Sequence, residues 1–309
     1  MKLINPSFEI IEQEAPTIKL DKNSTFLRGE LVNCAKKQIE LAGRICYKSE
    51  DKITEDSFKT FFELLRNKQH LSVFEHGTLY FTIKLGSPLH DDHYLWKAQV
   101  IQSFKKNPYS RVVEKLESIK YDDTVFDVQY FYITTNYRVI EESFGKDKFP
   151  KNNLMDEISE KTLFNYLSLP TKNHVKRLSV KFICSRAIAN ELVRHRTFSF
   201  SQESQRYCNY SSEKFGMEIT FIQPEYSVNI PKFEETLSMV EHSYFYLLSI
   251  GQTPQQAREI LPNATKTEII MTGYMDNWGK FFELRTAENA HPEMRRLTIP
   301  LQKEFEKYV

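Results

Sequence analysis

Glycine is scarce in this sequence, and its scarcity restricts how the chain can fold around phosphate. Only 9 of the 309 residues are glycine, whereas dinucleotide-binding and Walker loops need glycines at fixed spacings so that the backbone can approach the phosphates. No GxGxxG motif follows a predicted strand. The stretch most similar to a Walker loop, GYMDNWGKFF from Gly273, has five residues between its glycines and no Ser or Thr after the lysine. We therefore expect no glycine-rich phosphate cradle.

The charge balance argues against general attraction to polyanions. With 42 basic and 41 acidic side chains the net charge is +1, so we expect neither a nucleic-acid nor a membrane partner, and any bound anion must be held by a local cluster. No apolar run approaches the roughly 18 residues of a membrane span, and the first residues resemble neither a signal nor a transit peptide. The four cysteines form no CxxC pair. These features predict a soluble, reduced, cytoplasmic protein without a zinc knuckle.

Strand-like and helix-like periodicities are interspersed along the chain. The stretch GTLYFTIKL, from Gly77, alternates as a half-buried strand does, and RLSVKFIC, from Arg177, alternates in the same way. We expect these two strands to share one central, antiparallel-type sheet with flanking helices, which makes the fold class α+β. A further strand is predicted at 265–274, and helices are predicted at 31–41 (ended by Gly43), after Thr54, at 87–99, at 185–193, at 233–248 (before Gly251), from Pro254, at 277–285 and after 290–296 with a kink at Pro300.

Two helical signals are especially clear. Phe58, Phe61, Phe62 and Leu65 recur at the spacing of one helix face, which predicts a buried stripe. Farther along, the stretch 253–256 combines an N-cap threonine, a proline at the first helical position and a capping-box glutamine, which together predict the start of a short helix.

A change in composition and periodicity between about 105 and 173 indicates an insertion. Lysine-rich turns, the β-rich stretch DVQYFYITTNYRVI and a polar stretch fill this region, and the alternating pattern resumes at Arg177. We therefore predict one domain over 1–309 that contains an insertion at about 105–173.

The stretch ELVRHRTFSFSQESQRY, residues 191–207, concentrates most of the chemistry and leaves three interpretations. A serine hydrolase is disfavoured because Ser204 is flanked by Glu203 and Gln205 and lacks the glycines of a nucleophile elbow. A metal site at HDDH, residues 90–93, lacks a second ligand cluster, so we predict no metal. The arginines can instead grip phosphate with forked donors while serines and amides bind a heterocycle, although a solvated basic loop is the structural alternative.

The spacing in this stretch resembles a known signature. Arg194-His195-Arg196, seven residues, Ser204 and then Gln-Arg-Tyr are similar to the RHRx7S signature of flavin-dependent thymidylate synthases. Other stretches resemble that family in the same order, and the resemblance covers most of 26–104 and 175–308. These stretches are GRICY from Gly43, HLSVFEH from His70, AREILP from Ala257, FFELR from Phe281 and AHPEMR from Ala290.

The resemblance implies an activity. Members of this family convert dUMP to dTMP, with methylenetetrahydrofolate as the carbon donor and with FAD, reduced by NADPH, as the hydride carrier. They use no enzymic nucleophile on the pyrimidine, and they are homotetramers whose sites form between subunits. The alternative is a non-catalytic relative that binds flavin or nucleotide with the same fold.

The resemblance also implies a set of site residues, with Arg285 as the catalytic residue that faces the uracil ring. The residues expected to bind FAD are His70, Ser72, Glu75, Arg194, His195, Arg196, Gln202 and His291. The residues expected to bind dUMP are Glu191, Arg194, Gln202, Glu203, Ser204, Gln205, Arg206, Arg258 and Arg285.

Structural alternatives remain for several of these residues. Arg285 could complement the dipole at the end of a helix, His291 could cap the next helix, and His76 is expected in the core. The chain departs from the family where Glu191 and Gln202 stand in place of a common glutamine and a common glutamate, and we hypothesise a compensating exchange. Tyr274 and Lys280 also replace asparagines of some relatives, so both stay outside the predicted site.

Overall fold

The computed structural model describes residues 1–16, 25–86, 91, 93–121, 124–144, 160–225 and 230–308. Within it, the backbone contacts divide the chain into two compact units. The first unit comprises Met1–Ile11, Leu41–Ile53 and Leu178–Val309, and the second comprises Glu12–Glu40 and Thr54–Arg177. Helices and mostly antiparallel strands occur in both units, which confirms the predicted α+β class.

The strands and helices are numbered in chain order. The strands are β1 (Lys2–Ile4), β2 (Ser7–Ile11), β3 (Thr78–Leu85), β4 (Arg111–Tyr121), β5 (Thr124–Asn136), β6 (Arg177–Ser185), β7 (Ser199–Gln202), β8 (Thr220–Ile222) and β9 (Lys266–Tyr274). The α-helices are α1 (Thr25–Tyr47), α2 (Ser57–Asn67), α3 (Tyr94–Lys106), α4 (Tyr137–Phe144), α5 (Glu160–Leu163), α6 (Arg186–Leu192), α7 (Ile230–Ser249), α8 (Pro254–Ala257), α9 (Met275–Arg285) and α10 (Pro292–Phe305). Short 3-10 helices occupy Glu50–Lys52, Leu71–His76, Phe164–Tyr166, Glu213–Phe215, Arg258–Ile260 and Glu306–Tyr308.

The first unit is built on a four-stranded sheet in the order β2-β6-β9-β7. Strand β2 pairs antiparallel with β6, with Phe8 opposite Phe182, and β7 pairs antiparallel with β9. The prediction that β3 and β6 share a sheet was wrong, because β3 belongs to a different sheet. An alternating pattern predicts that a segment is a strand, but it carries no information about which strand pairs with it.

Aromatic side chains fill the core between this sheet and the C-terminal helices. Trp278 of α9 is fully buried, and its indole N–H donates to the carbonyl oxygen of Leu178 at 3.3 Å. The rings of Phe198 and Phe305 lie 4.8 and 4.9 Å from the indole, centroid to centroid. Phe198 belongs to the signature segment, residues 191–207. This segment therefore packs in the same core as α9 and α10.

The second unit is built on a three-stranded antiparallel sheet in the order β3-β5-β4. Two of its three strands, β4 and β5, come from the segment predicted as an insertion. The predicted face of α2 is confirmed, since Phe58, Phe61, Phe62 and Leu65 are all buried. His76 is also buried, as expected.

Helix α1 corrects the predicted stop at Gly43. The helix continues to Tyr47, and the chain leaves it through Lys48, whose φ of +48° is in the left-handed region. Ile39, Ala42 and Ile45 of this helix are fully buried. Packing of this face outweighs the roughly 1 kcal/mol cost of an interior glycine, so the helix does not end at Gly43.

The C-terminal predictions are confirmed in most details. Gly251 follows α7 with a φ of +94°, as a glycine after a helix end does. Thr253 and Gln256 form the capping box at the start of α8, and the backbone N–H of Thr253 donates to the side-chain oxygen of Gln256 at 2.9 Å. Helix α10 contains Pro300 but begins at Pro292, within the stretch that was expected to precede it. Among the described helices, none combines the length and apolarity that crossing a bilayer requires.

Candidate functional site

The signature segment leaves α6 and returns to the sheet as β7. Ser185 caps α6 by accepting a hydrogen bond from the backbone N–H of Ile188 at 3.3 Å. The turn after α6 carries Arg194, His195 and Arg196, and β7 then pairs with β9. The side chains of Arg194 and Arg196 are exposed, and neither guanidinium forms a hydrogen bond or ion pair with a described residue. Two cations are thus available for an anionic ligand.

Arg285 is held against this turn by three hydrogen bonds. Its Nε donates to Nε2 of His195 at 2.9 Å, its Nη1 donates to the carboxylate of Glu191 at 2.7 Å, and its Nη2 donates to the carbonyl oxygen of Glu191 at 3.2 Å. The hydroxyl of Thr298 donates to the carbonyl oxygen of Arg285 at 2.8 Å. The predicted catalytic residue is therefore joined to two other predicted site residues, and the guanidinium is fixed in orientation.

His195 is neutral at neutral pH. Burial, and then the positive charge of Arg285, lower the pKa of His195 to about 4. Its Nε2 accepts from Arg285, so the ring proton must be on Nδ1. The positive charge of the Arg-His-Arg turn comes from the two arginines, and any contribution of His195 to stabilising an anion is that of a neutral imidazole.

The lowered pKa of His195 predicts a loss of stability in weak acid. The unfolded chain binds this proton near pH 6.5 and the folded chain only near pH 4, so the free energy of unfolding should fall as the pH drops through that window. His195→Gln keeps an acceptor for Arg285 but cannot titrate. In urea unfolding, wild type should lose about 1 kcal/mol more than H195Q between pH 7 and pH 5, after allowance for solvent screening. Equal losses in the two proteins would show that folding does not lower the pKa of His195.

The loop that follows β7 is anchored at the end of α1. The backbone N–H of Ser204 donates to the carbonyl oxygen of Cys46 at 3.0 Å, and the ring of Tyr207 lies 5.3 Å from that of Tyr47. Cys46 and Tyr47 belong to GRICY, one of the stretches that carried the resemblance. Two distant stretches of sequence are thus brought together at the predicted nucleotide loop.

Arg206 connects the same loop to α8. Its Nε donates to the side-chain oxygen of Gln255 at 2.9 Å, and Arg258 follows Gln255 by three residues, which is about one helical turn. The side chain of Arg258 makes no hydrogen bond or ion pair with any residue that the structure describes. The structure therefore brings the loop that carries Arg206 against the helix that precedes Arg258.

Other predicted members of the nucleotide loop are turned inward. The side chains of Glu203 and Gln205 are buried, and the carboxylate of Glu203 forms an ion pair with Lys266 at 3.0 Å. Gln202 is half-buried and donates from its amide nitrogen to the hydroxyl of Thr267 at 3.3 Å. Arg206 is exposed, and Ser204, like Gln202, is half-buried.

His291, Tyr274 and Lys280 lie in the C-terminal part of the first unit. His291 accepts a hydrogen bond at Nδ1 from the backbone N–H of Glu293, at 3.2 Å, and so caps α10, as its structural alternative anticipated. Tyr274 is buried, whereas Lys280 is exposed on α9.

The remaining predicted FAD residues belong to the second unit. His70 and Ser72 are exposed at the start of the 3-10 helix Leu71–His76. Glu75 accepts from Nη1 of Arg138 at 2.6 Å, and the two side chains line a small cavity of about 90 Å³ together with Asn136. Sequence reasoning missed Arg138 because it lies in the predicted insertion, which the resemblance does not cover.

Metal ligation finds no support in the part of the chain that the structure describes. No group of three or more His, Cys, Asp or Glu side chains there could hold a metal ion. His90 and Asp92 of the HDDH stretch lie outside the described residues, and Asp91 forms an ion pair with Lys97 at 2.9 Å.

Comparison with known proteins identifies the family. The family model described as "Thymidylate synthase complementing protein" matches residues 128–309. This chain belongs to that family. The match contains the Arg-His-Arg turn, the loop at 202–206 and Arg285, and it begins inside the segment predicted as an insertion. The boundaries of that insertion stay a prediction.

Individual relatives carry a more specific name. The chain is 37% identical over 131 residues to a protein of Mycobacterium bovis named "Flavin-dependent thymidylate synthase", an alignment that covers 37% of this chain and 51% of the relative. Proteins of the same name from Geobacter sulfurreducens and Mycobacteroides abscessus are each 34% identical, over 117 and 131 residues, and 50% and 51% of their lengths are covered. The chain spans about half the length of the curated relatives it matches.

Proposed function

We propose that this protein is a flavin-dependent thymidylate synthase. It would convert dUMP to dTMP with methylenetetrahydrofolate as the carbon donor, with FAD as the cofactor and with NADPH as the reductant. The observation that carries the proposal is the Arg-His-Arg turn, whose two arginines have no partner among the described residues and lie beside an arginine fixed by Glu191 and His195. We also propose, from the family resemblance, a cytoplasmic homotetramer with shared sites.

The turn has the chemistry that a flavin dinucleotide needs. FAD carries a pyrophosphate, and its isoalloxazine gains negative charge near N1 and O2 on reduction, so Arg194 and Arg196 suit it as forked cationic donors. When bound, FAD would supply the hydride that reduces the transferred carbon. His195, as a neutral imidazole with its proton on Nδ1, can donate one hydrogen bond without adding charge. His70, Ser72, Glu75, Gln202 and His291 stay predicted FAD contacts.

The loop and α8 suit the phosphate of dUMP. The hydroxyl of Ser204 and the guanidinium groups of Arg206 and Arg258 are donors without an acidic partner among the described residues. Arg285 would face the uracil ring, where a fixed cation favours deprotonation at N3 and so makes C5 a better nucleophile. Its carboxylate partner, Glu191, would limit that effect, because the negative charge of Glu191 offsets the positive charge of the guanidinium.

The test begins with the colour of the purified protein. We expect an absorption band of oxidised flavin, or uptake of added FAD, followed by release of tritium from 5-tritiated dUMP that requires both NADPH and methylenetetrahydrofolate. Protein that binds flavin and dUMP but releases no tritium would be the non-catalytic relative. A colourless protein that takes up no FAD would contradict both functions.

A further inference from the structure

A network of two buried glutamates and three partly buried lysines lies next to the predicted nucleotide loop. We call it the lysine network and define it by Lys48, Lys181, Lys266, Glu203 and Glu268. Glu268 of β9 forms ion pairs with Lys48 at 2.9 Å, with Lys181 at 2.8 Å and with Lys266 at 2.5 Å. Burial would raise the pKa of Glu268, but the three lysines hold it well below its usual range. Glu268 is thus firmly charged and has three cations.

Among the described residues, Glu203 forms an ion pair with one lysine, whereas Glu268 forms ion pairs with three. Its side chain is only 1% exposed, and Lys266 at 3.0 Å is its ion-pair partner. The hydroxyl of Tyr210 donates to its carboxylate at a longer 3.4 Å. A buried carboxylate that loses its cation is strongly destabilised. Lys266 is therefore the cation on which the buried position of Glu203 depends.

Glu203 also connects the network to the backbone of the loop. It lies between Gln202 and Ser204, and its own N–H donates to the carbonyl oxygen of Glu268 at 2.8 Å. Drawing the Glu203 side chain inward therefore constrains the residues on either side of it. Ser204 and Arg206 remain accessible on the loop, and these are the donors proposed for the dUMP phosphate.

We infer that Lys266 is a positioning residue for the dUMP site: by pairing with buried Glu203 it holds the loop at 202–206 in the conformation that presents Ser204 and Arg206 to the phosphate. The inference rests on the proposed function. It also reassigns Glu203, whose carboxylate positions the loop and does not contact dUMP.

The test compares two lysines that share one partner. Lys266→Met removes the cation of Glu203, whereas Lys181→Met removes a cation from Glu268 alone. We expect K266M to raise the Kd and KM for dUMP at least tenfold, with kcat at saturating dUMP changed less than twofold and the flavin absorption retained. K181M should leave the Kd and KM for dUMP within twofold of wild type.

A second variant separates positioning from general destabilisation. Glu203→Leu combined with K266M removes both the buried carboxylate and its cation, so the double variant should recover to within about threefold of the wild-type Kd, even if K266M alone folds poorly. A double variant as weak as K266M, or equal effects of K266M and K181M, would overturn the positioning role. Wild-type protein that binds no dUMP in calorimetry would overturn the proposed function together with the positioning role. Wild-type protein that binds dUMP, with variants that behave as just described, would overturn the positioning role alone.

Discussion

Arg285→Ala is expected to reduce tritium release from 5-tritiated dUMP by about 100-fold or more while the protein keeps its flavin. The guanidinium is fixed by bonds to His195 and Glu191, so it is a cation whose orientation is set before the substrate binds. Preoriented donors of this kind each contribute about 10²–10³-fold to rate, because no reorganisation is needed when charge develops. The measurement is the rate of tritium release together with the flavin content of the purified variant.

Two controls separate the role of Arg285 in chemistry from its role in structure. R285A leaves the half-exposed carboxylate of Glu191 without its cation, so R285A should be compared with the R285A/E191Q double variant, in which no charge is left unpaired. If both are inactive and both keep flavin, the missing cation is the cause. Loss of flavin from both would assign Arg285 a structural role. Glu191→Gln alone tests the proposed exchange with Gln202, and unchanged dUMP affinity and turnover would refute that exchange.

Gly273→Ala is expected to lower the free energy of unfolding by about 2–3 kcal/mol, the upper part of the range for overpacked cores. Gly273 is buried at the end of β9, and a Cβ there would lie 2.3 Å from two carbons of the Phe198 ring. That ring is buried and lies 4.8 Å from the indole of Trp278 and 6.1 Å from the ring of Phe281, so it has little room to move. Phe198 follows Arg196 by two residues, so we also expect G273A to weaken flavin binding.

Gly279 provides the matched control for Gly273. It is exposed in α9, and a Cβ there would meet nothing within 4 Å, so Gly279→Ala should raise the free energy of unfolding by about 0.5–1 kcal/mol through helix propensity. The double variant G273A/F198L should recover part of the stability that G273A loses, since the leucine lacks the ring atoms that the Cβ would contact. Thermal or urea unfolding of the four proteins checks both statements. A G273A protein as stable as wild type would mean that Phe198 moves freely.

Local chemistry determined what could be predicted from the sequence alone. The buried stripe of α2 and the capping box of α8 followed from residues within one or two turns of each other. The spacing from Arg194 to Ser204 identified the family for the same reason, because the turn and loop that carry these side chains are continuous in the chain. In such short segments the interacting residues are close in sequence, so composition and spacing were sufficient to predict these features.

Long-range contacts decided the rest. The sequence could not show that β6 pairs with β2, because strand alternation is the same for any partner. Nor could the sequence show that Glu203 and Gln205, two predicted dUMP contacts, have buried side chains, or that Glu203 forms an ion pair with Lys266 of β9. The same holds for His195, whose pKa falls because burial and Arg285, 90 residues away in sequence, act on it together. The burial and the pKa of a side chain depend on all the residues around it, and only the tertiary structure brings residues that are distant in sequence together.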